Sequence, residues 1–255
     1  MLLEINSLYR RFGGLQAVSD VSFSVRKGMI KAVIGPNGAG KTTLFNLISG
    51  TLPPSSGAIH FKGQPIHGLA PFRIARLGMA RTYQNIKLYP GMTALENVTV
   101  GRHCRSRAGF LAGMLPLPWA RKEEKASREK CLELLALLDI ADLAEVEASS
   151  LAFGQQRAVE FARALAMEPE LLLLDEPAAG LNIYETAEVA RLIGKINGQG
   201  ITVLLVEHDM SLVMDISHEI VVLSFGEKIA EGDPASIQQN KEVIRIYLGE
   251  DDAED

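Results

Sequence analysis

The stretch Gly35-Pro36-Asn37-Gly38-Ala39-Gly40-Lys41-Thr42-Thr43 constrains this chain more than any other. An apolar run, Met29 to Ile34, leads into it, and Leu44, Phe45, Leu47 and Ile48 follow it. A strand, a glycine-rich bend and a helix in that order predict a phosphate cradle. Glycines let the backbone curl so that several N–H groups point inward, and the helix N-terminus adds its positive dipole end. In the spacing G-x-x-x-x-G-K-T, the lysine (Lys41) reaches the β- and γ-phosphates and the hydroxyl of Thr42 holds Mg²⁺. The pattern predicts that the chain binds a nucleoside triphosphate.

The rest of the chain supplies an α/β frame for that loop. Leu171 to Leu174 reads as a buried parallel strand running into Asp175-Glu176, and Ile201 to Val206 as another ending at Glu207-His208-Asp209. An aspartate at a strand end behind a phosphate loop can hold Mg²⁺ through water, and a glutamate directly after it can orient or deprotonate a water. Helices are expected over Ile183 to Ile196 and along the stripe Val159, Ala162, Leu165, Ala166, which Pro169 closes. Strands alternating with helices imply a mostly parallel sheet with ligands at the carboxyl ends of its strands. Leu2 to Tyr9, Val21 to Val25 and Ala58 to Lys62 read as further strands, and Glu219 to Ser224 with Glu227 to Glu231 as a hairpin around Phe225-Gly226. Between the first two lies Arg11-Phe12-Gly13-Gly14, a turn whose Phe12 is either a core residue or a platform for an adenine ring.

From Asn85 the texture changes. Thr93-Ala94-Leu95-Glu96 has the spacing of a capping box opening a helix through Val100, and Leu132, Leu135, Leu138 and Ile140 resume a helical stripe. Residues 101–130 carry eight Lys or Arg against three Glu around an apolar, proline-containing piece near Trp119, so this stretch reads as a basic hairpin, either solvated or a docking surface. Residues 85 to about 150 read together as a mainly helical insertion. The net charge of −5 argues against bulk nucleic-acid binding. Cys104 and Cys131 lack the spacing of a zinc site or a disulfide frame and suit a reducing compartment. Met1-Leu2-Leu3-Glu4 does not open a signal peptide, and no apolar run reaches the roughly 20 residues a membrane span takes.

The set Phe12, Gly35 to Thr43, Gln84, Leu151-Ala152-Phe153-Gly154-Gln155, Asp175-Glu176 and His208 resembles, in order and separation, the ATPase subunits of ABC transporters. The resemblance covers essentially the whole chain. It implies one cassette of 255 residues: an α/β core with an antiparallel β-subdomain over about 1–84 and 157–255, and a helical subdomain over about 85–156. It implies ATP and Mg²⁺ as ligands, with Phe12 stacking on adenine, Gln84 sensing Mg²⁺ and the attacking water, Glu176 as catalytic carboxylate and His208 as γ-phosphate switch. Thr42, Gln84 and Asp175 become the metal-side residues. Leu151, Ala152, Phe153, Gly154 and Gln155 become the signature loop, which grips the ATP held by a partner chain. That loop opens a helix, so its backbone N–H groups form an anion site. Two chains head to tail would give each ATP a cradle on one side and a signature loop on the other.

Two positions depart from the wider family: its signature serine is Ala152 here, and the acid after the catalytic glutamate is Asn182. The runs Leu-Ala-Phe-Gly-Gln-Gln-Arg, Leu-Asp-Glu-Pro-Ala-Ala-Gly-Leu-Asn, Glu-His-Asp-Met and the terminal Val-Ile-Arg-Ile-Tyr-Leu-Gly-Glu look like the LivG-type ATPase of bacterial branched-chain amino-acid importers. That resemblance implies a second, related ATPase, two membrane permeases, a periplasmic binding protein acting indirectly, and a place on the cytoplasmic face of the inner membrane. Importers of urea or short amides and the lipopolysaccharide exporter are the neighbouring alternatives. A soluble ABC protein acting on nucleic acid would carry two cassettes or a long coiled coil, and a P-loop kinase would need an acceptor pocket and a lid. The sequence shows none of these.

Overall fold

The computed structural model describes residues 1–104 and 118–248. Most of the basic hairpin around Trp119 and the acidic tail from Glu250 lie outside the residues whose surroundings are described.

Two sheets enclose the phosphate loop. Strands β1 (Leu3–Phe12), β2 (Leu15–Val25), β4 (Ser56–Phe61) and β5 (Gln64–Pro65) form an antiparallel layer in the order β2-β1-β4-β5. The second sheet runs β10-β9-β3-β8-β7-β6, built from β3 (Ile30–Ile34), β6 (Met79–Arg81), β7 (Leu171–Asp175), β8 (Thr202–Val206), β9 (Glu219–Ser224) and β10 (Glu227–Gly232). Its pairings are parallel except for the β9–β10 hairpin. The first two strands are longer than the alternation suggests: Phe12 ends β1 and pairs with Leu15, so only Gly13-Gly14 is turn.

The all-leucine run of β7 has a packing reason. Leu171 and Leu173 face a core made with the antiparallel layer and helix α1 (Lys41–Ile48), where Leu44, Phe45, Leu47 and Ile48 are buried. Leu172 and Leu174 face a second core on the opposite side. A strand covered on both faces needs no polar alternation. The second core is closed by helices α3 (Ala94–Gly101), α4 (Pro118–Leu137), α5 (Phe153–Leu165), α6 (Ile183–Gly198) and α7 (Met210–Ile216), the last not foreseen from sequence. Leu132 is only partly buried; Cys131, wholly buried, takes its place with Leu135 and Leu138.

Local signals set the helix ends. The Thr93 hydroxyl accepts from Glu96 N and the Glu96 carboxylate from Thr93 N, the expected capping box. Pro71 opens α2 (Pro71–Arg76), and Asp233 caps the short α8 (Pro234–Gln238). The final helix, α9 (Lys241–Leu248), closes the described chain. Asn182 caps α6, its Oδ1 accepting from Tyr184 N at 3.0 Å and Glu185 N at 3.1 Å. An amide oxygen caps a helix as well as a carboxylate does.

Candidate nucleotide site

Strand β3 delivers the chain at Gly35, and α1 begins at Lys41. Gly40, with φ 98°, caps that helix in the left-handed region, and a Cβ there would lie 2.5 Å from the Ala17 carbonyl. Only glycine allows β2 so close. The β9–β10 turn closes the loop from the other side: Gly226 N donates to Ala39 O at 3.1 Å, and Ser19 N to Gly226 O at 2.8 Å. Lys41 is buried beneath the loop, its Nζ donating to Gly35 O at 2.6 Å and Pro36 O at 3.0 Å. Burial pulls its pKa below the ordinary lysine value, with Glu176 opposing that shift. The ammonium therefore lies beneath the open end of a backbone N–H cradle, where a polyphosphate would meet both.

The acidic end of β7 comes to the same place. Asp175 is buried and paired with Arg81, whose Nη2 donates to Oδ2 at 2.7 Å. Arg81 Nη1 also donates to Asn46 Oδ1 and Ser49 Oγ, both at 2.8 Å, joining β6 to α1. Glu176 follows with φ 47°, a left-handed backbone for a non-glycine residue, held by its N–H on Val206 O at 2.9 Å. Strain of this kind persists where surrounding structure over-determines it. Gln84 Nε2 donates to Glu176 Oε2 at 2.6 Å. His208 Nδ1 stands 3.8 Å from Glu176 Oε2 and equally far from Glu207 Oε2, beyond a hydrogen bond. Lys41, Gln84, Asp175, Glu176 and His208 thus gather at the carboxyl edge of the parallel strands.

Four residues matter that the sequence reading passed over. Glu207 is wholly buried; its Oε1 accepts from Ala178 N at 2.7 Å and its Oε2 from His208 N at 3.0 Å and Asp209 N at 3.4 Å. One carboxylate thus ties the turn after Glu176 to the turn bearing His208. Arg157, also wholly buried, donates to the carbonyls of Tyr83 at 3.2 Å and Gln84 at 3.1 Å and to Glu160 Oε2 at 2.6 Å. Burial raises the Glu160 pKa, against the pull of Arg157. Tyr247 on α9 turns its phenol toward the Gly35 N–H, and burial pushes its pKa up to about 12. Arg81 is the fourth. Each lies beside a recognised motif in the chain, but nothing in a lone Arg or Glu signals burial.

Leu151 is buried, whereas Ala152 and Phe153 at the start of α5 face outward, and nothing stands within 4 Å of where a Gly154 Cβ would be. Gln155 Oε1 accepts from Ala152 N at 3.1 Å, and Gln156 Nε2 donates to Leu151 O at 2.8 Å. The exposed Phe12 lies 4.6 Å, at its ring centre, from the Arg10 guanidinium. Arg102, expected in the docking hairpin, is paired with Glu168 at 2.8 Å. Among the described residues there is no cluster of three His, Cys, Asp or Glu side chains able to cage a metal. One hydroxyl, Thr42, and one carboxylate, Asp175, at a phosphate cradle suit Mg²⁺, which is commonly held by one or two carboxylates and substrate phosphates.

A strand–loop–helix cradle with a buried lysine and an acidic strand end beside it defines a P-loop nucleoside triphosphatase. Residues 18–179 match the family model described as ABC transporter, and residues 227–253 match the one described as branched-chain amino acid ATP-binding cassette transporter. The chain is 45% identical over 250 residues to the high-affinity branched-chain amino acid transport ATP-binding protein BraF of Pseudomonas aeruginosa, covering 98% of each chain. It is 43% identical to LivG of Escherichia coli K12, again over 98% of each. Among solved structures, the ADP conformation of an ATP-binding cassette of an ABC transporter superposes with TM-score 0.84 at 32% identity, covering 98% of this chain and 99% of that one. A dimeric bacterial ABC transporter cassette superposes at 0.74 and 25% identity, covering 91% and 98%. This chain belongs to the ABC transporter ATPases, a family that binds ATP.

Proposed function

We propose that this chain is the ATP-hydrolysing subunit that powers uptake of branched-chain amino acids through separate permease subunits, working head to tail with a second cassette. The observation that carries the reading is the division of the nucleotide machinery between two surfaces. The P-loop, Asp175, Glu176 and His208 share one. The outward-facing start of α5, a helix N-terminus with open space beside Gly154, is the other. The solute assignment draws on the two family models and on the printed names of the relatives.

In this mechanism the cradle of residues 35–43 and the Lys41 ammonium bind the β- and γ-phosphates, and Phe12 stacks on the base. Thr42, Gln84 and Asp175 would hold Mg²⁺, and the ion bound there would neutralise developing phosphate charge. Glu176 takes the proton of the attacking water at a carboxylate oxygen, and the Gln84 amide on Oε2 keeps that carboxylate oriented. His208, 3.8 Å from Glu176 Oε2, serves as the γ-phosphate switch. Leu151 to Gln155 of the partner close the site, with backbone N–H groups doing the work where Ala152 has no hydroxyl.

No helix among the described residues is long and apolar enough to cross a membrane. On the relatives' printed names, the reading places the chain peripherally, on the cytoplasmic face, against two permeases served by a periplasmic binding protein. The helical lobe of the cassette spans about residues 85–156 in this reading. The permease contact falls on a cleft of about 230 Å³ lined by Phe72, Tyr83, Arg81, Met79, Met167 and Leu173, with Phe72 and Tyr83 more than half exposed. Exposed Tyr89 and Met92 lie in the segment between Gln84 and α3. The test is ATP-dependent uptake by vesicles holding the assembled transporter. Labelled leucine, isoleucine or valine should accumulate; uptake of urea or a short amide in their place would overturn the solute assignment.

A further inference from the structure

Arg81 touches both the cleft beside Phe72 and the acidic end of β7. Its Nη2 donates to Asp175 Oδ2 at 2.7 Å, and the pair is nearly dry, with side chains 7% and 8% exposed. Its Nη1 is anchored on Asn46 and Ser49. The guanidinium carbon lies 5.0 Å from the ring centre of Tyr83 and 5.8 Å from that of Phe45. The same side chain lines the cleft together with Phe72 and Tyr83. Its Nε is buried and has no acceptor, an uncommon condition for a buried donor.

We propose that Arg81 is a positioning residue through which a permease segment seated in the cleft governs how firmly Asp175 is held, and so how readily the site takes a divalent cation. The proposal rests on the docking reading above. A cation approaching Asp175 must share that carboxylate with a guanidinium already on it, and like charges at such separation raise the cation concentration required. Two things keep Arg81 in place: the anchors on α1 and the ring of Tyr83. A partner packed against Phe72 and Tyr83 shifts the ring, and any acceptor it brings finds the Nε–H free. Both effects draw the guanidinium toward the cleft and away from Asp175. Arg81 on Asp175 and Arg81 turned to the cleft are the two states whose balance the partner sets. A plain structural tie between β6 and α1 would predict lower stability when cut, but no change in cation response.

The experiment titrates Mg²⁺ against binding of a fluorescent ATP analogue to the full chain, for the parent, Arg81→Gln and Arg81→Lys. In Arg81→Gln the Mg²⁺ half-point should fall by about fivefold or more, while cation-free affinity for the analogue stays within about twofold. Arg81→Lys keeps the charge but not the fork that spans Asp175, Asn46 and Ser49, so its half-point should fall between those of the parent and Arg81→Gln. An unmoved half-point in folded Arg81→Gln overturns the proposal. If that variant does not fold, Tyr83→Leu keeps both charged residues but removes the ring that holds the guanidinium on Asp175; its half-point should fall by about twofold or more, and no shift overturns the proposal. In the assembled transporter the permeases should lower the parent's half-point and leave that of Arg81→Gln where it is; equal shifts in both overturn it. Phe72→Ala with undiminished permease binding sinks the docking reading and leaves the isolated-chain result standing.

Discussion

Replacing Glu207 by Gln should disconnect the two turns that carry Glu176 and His208. The carboxylate is wholly buried and accepts three backbone N–H bonds, at 2.7, 3.0 and 3.4 Å. A glutamine offers one oxygen; its –NH₂ must face either Ala178 N or the pair from His208 and Asp209, donor against donor. Bonds to a charged acceptor contribute about 1.5–3 kcal/mol, a neutral acceptor less, and a stranded buried N–H costs about 1–3 kcal/mol more. Allowing for partial relaxation, the loss is roughly 2–4 kcal/mol. For a chain of this size that lowers the melting temperature by about 4–16 °C. If half of the loss falls on the relative placement of Glu176 and His208, turnover drops by about 5- to 30-fold. The P-loop makes no bond to Glu207, so KM for ATP should change by less than about threefold. Thermal unfolding and steady-state phosphate release measure the two effects. A Glu207→Gln protein with parental turnover and melting temperature would refute the view that this carboxylate organises the site.

Two further substitutions test other parts. Glu176→Gln should bind ATP normally, lose about 10²-fold or more in turnover, and elute as an ATP-dependent dimer on size exclusion; hydrolysis at the parental rate would remove Glu176 from its role. Arg157→Lys keeps the charge but cannot span the Tyr83 and Gln84 carbonyls together with Glu160, so turnover should fall about tenfold with KM for ATP little altered. A lowered melting temperature with unchanged turnover would mean that Arg157 only props the fold.

What could be read from the chain and what could not divide along physical lines. Spacing carries local geometry, so the loop 35–43, the capping box at Thr93 and the hairpin at Phe225-Gly226 were all legible, and the two-sided burial of Leu171 to Leu174 followed from an unbroken apolar run. Helix α7 was not legible, because seven residues beginning at Met210 are too few for periodicity to register. Strand β2 starts at Leu15, earlier than expected, because pairing with β1 sustains a half-exposed segment of weak alternation. Lys41, Gln84, Asp175, Glu176 and His208 meet at one edge of the sheet, since motif spacing encodes their strand ends. Arg81, Arg157 and Glu207 did not announce themselves. Their meaning lies in which carbonyl or N–H they meet across the sheet, and a sequence does not state its long-range partners.

The crowding around Ala17 reaches beyond the geometry of the loop. Its carbonyl oxygen would lie 2.5 Å from a Cβ at Gly40 and 2.9 Å from one at Gly226, and both glycines have positive φ. Two positions far apart in the chain are therefore confined by a single atom of the antiparallel layer. Side chains are barred from both, and a change at one site gives the other no relief. Under selection for ATP-driven growth, a library randomised at 40 and 226 should return glycine at each independently, without compensating pairs. The antiparallel layer, the phosphate loop and the β9–β10 turn are thus joined in mutational space, through a backbone atom that no substitution can remove.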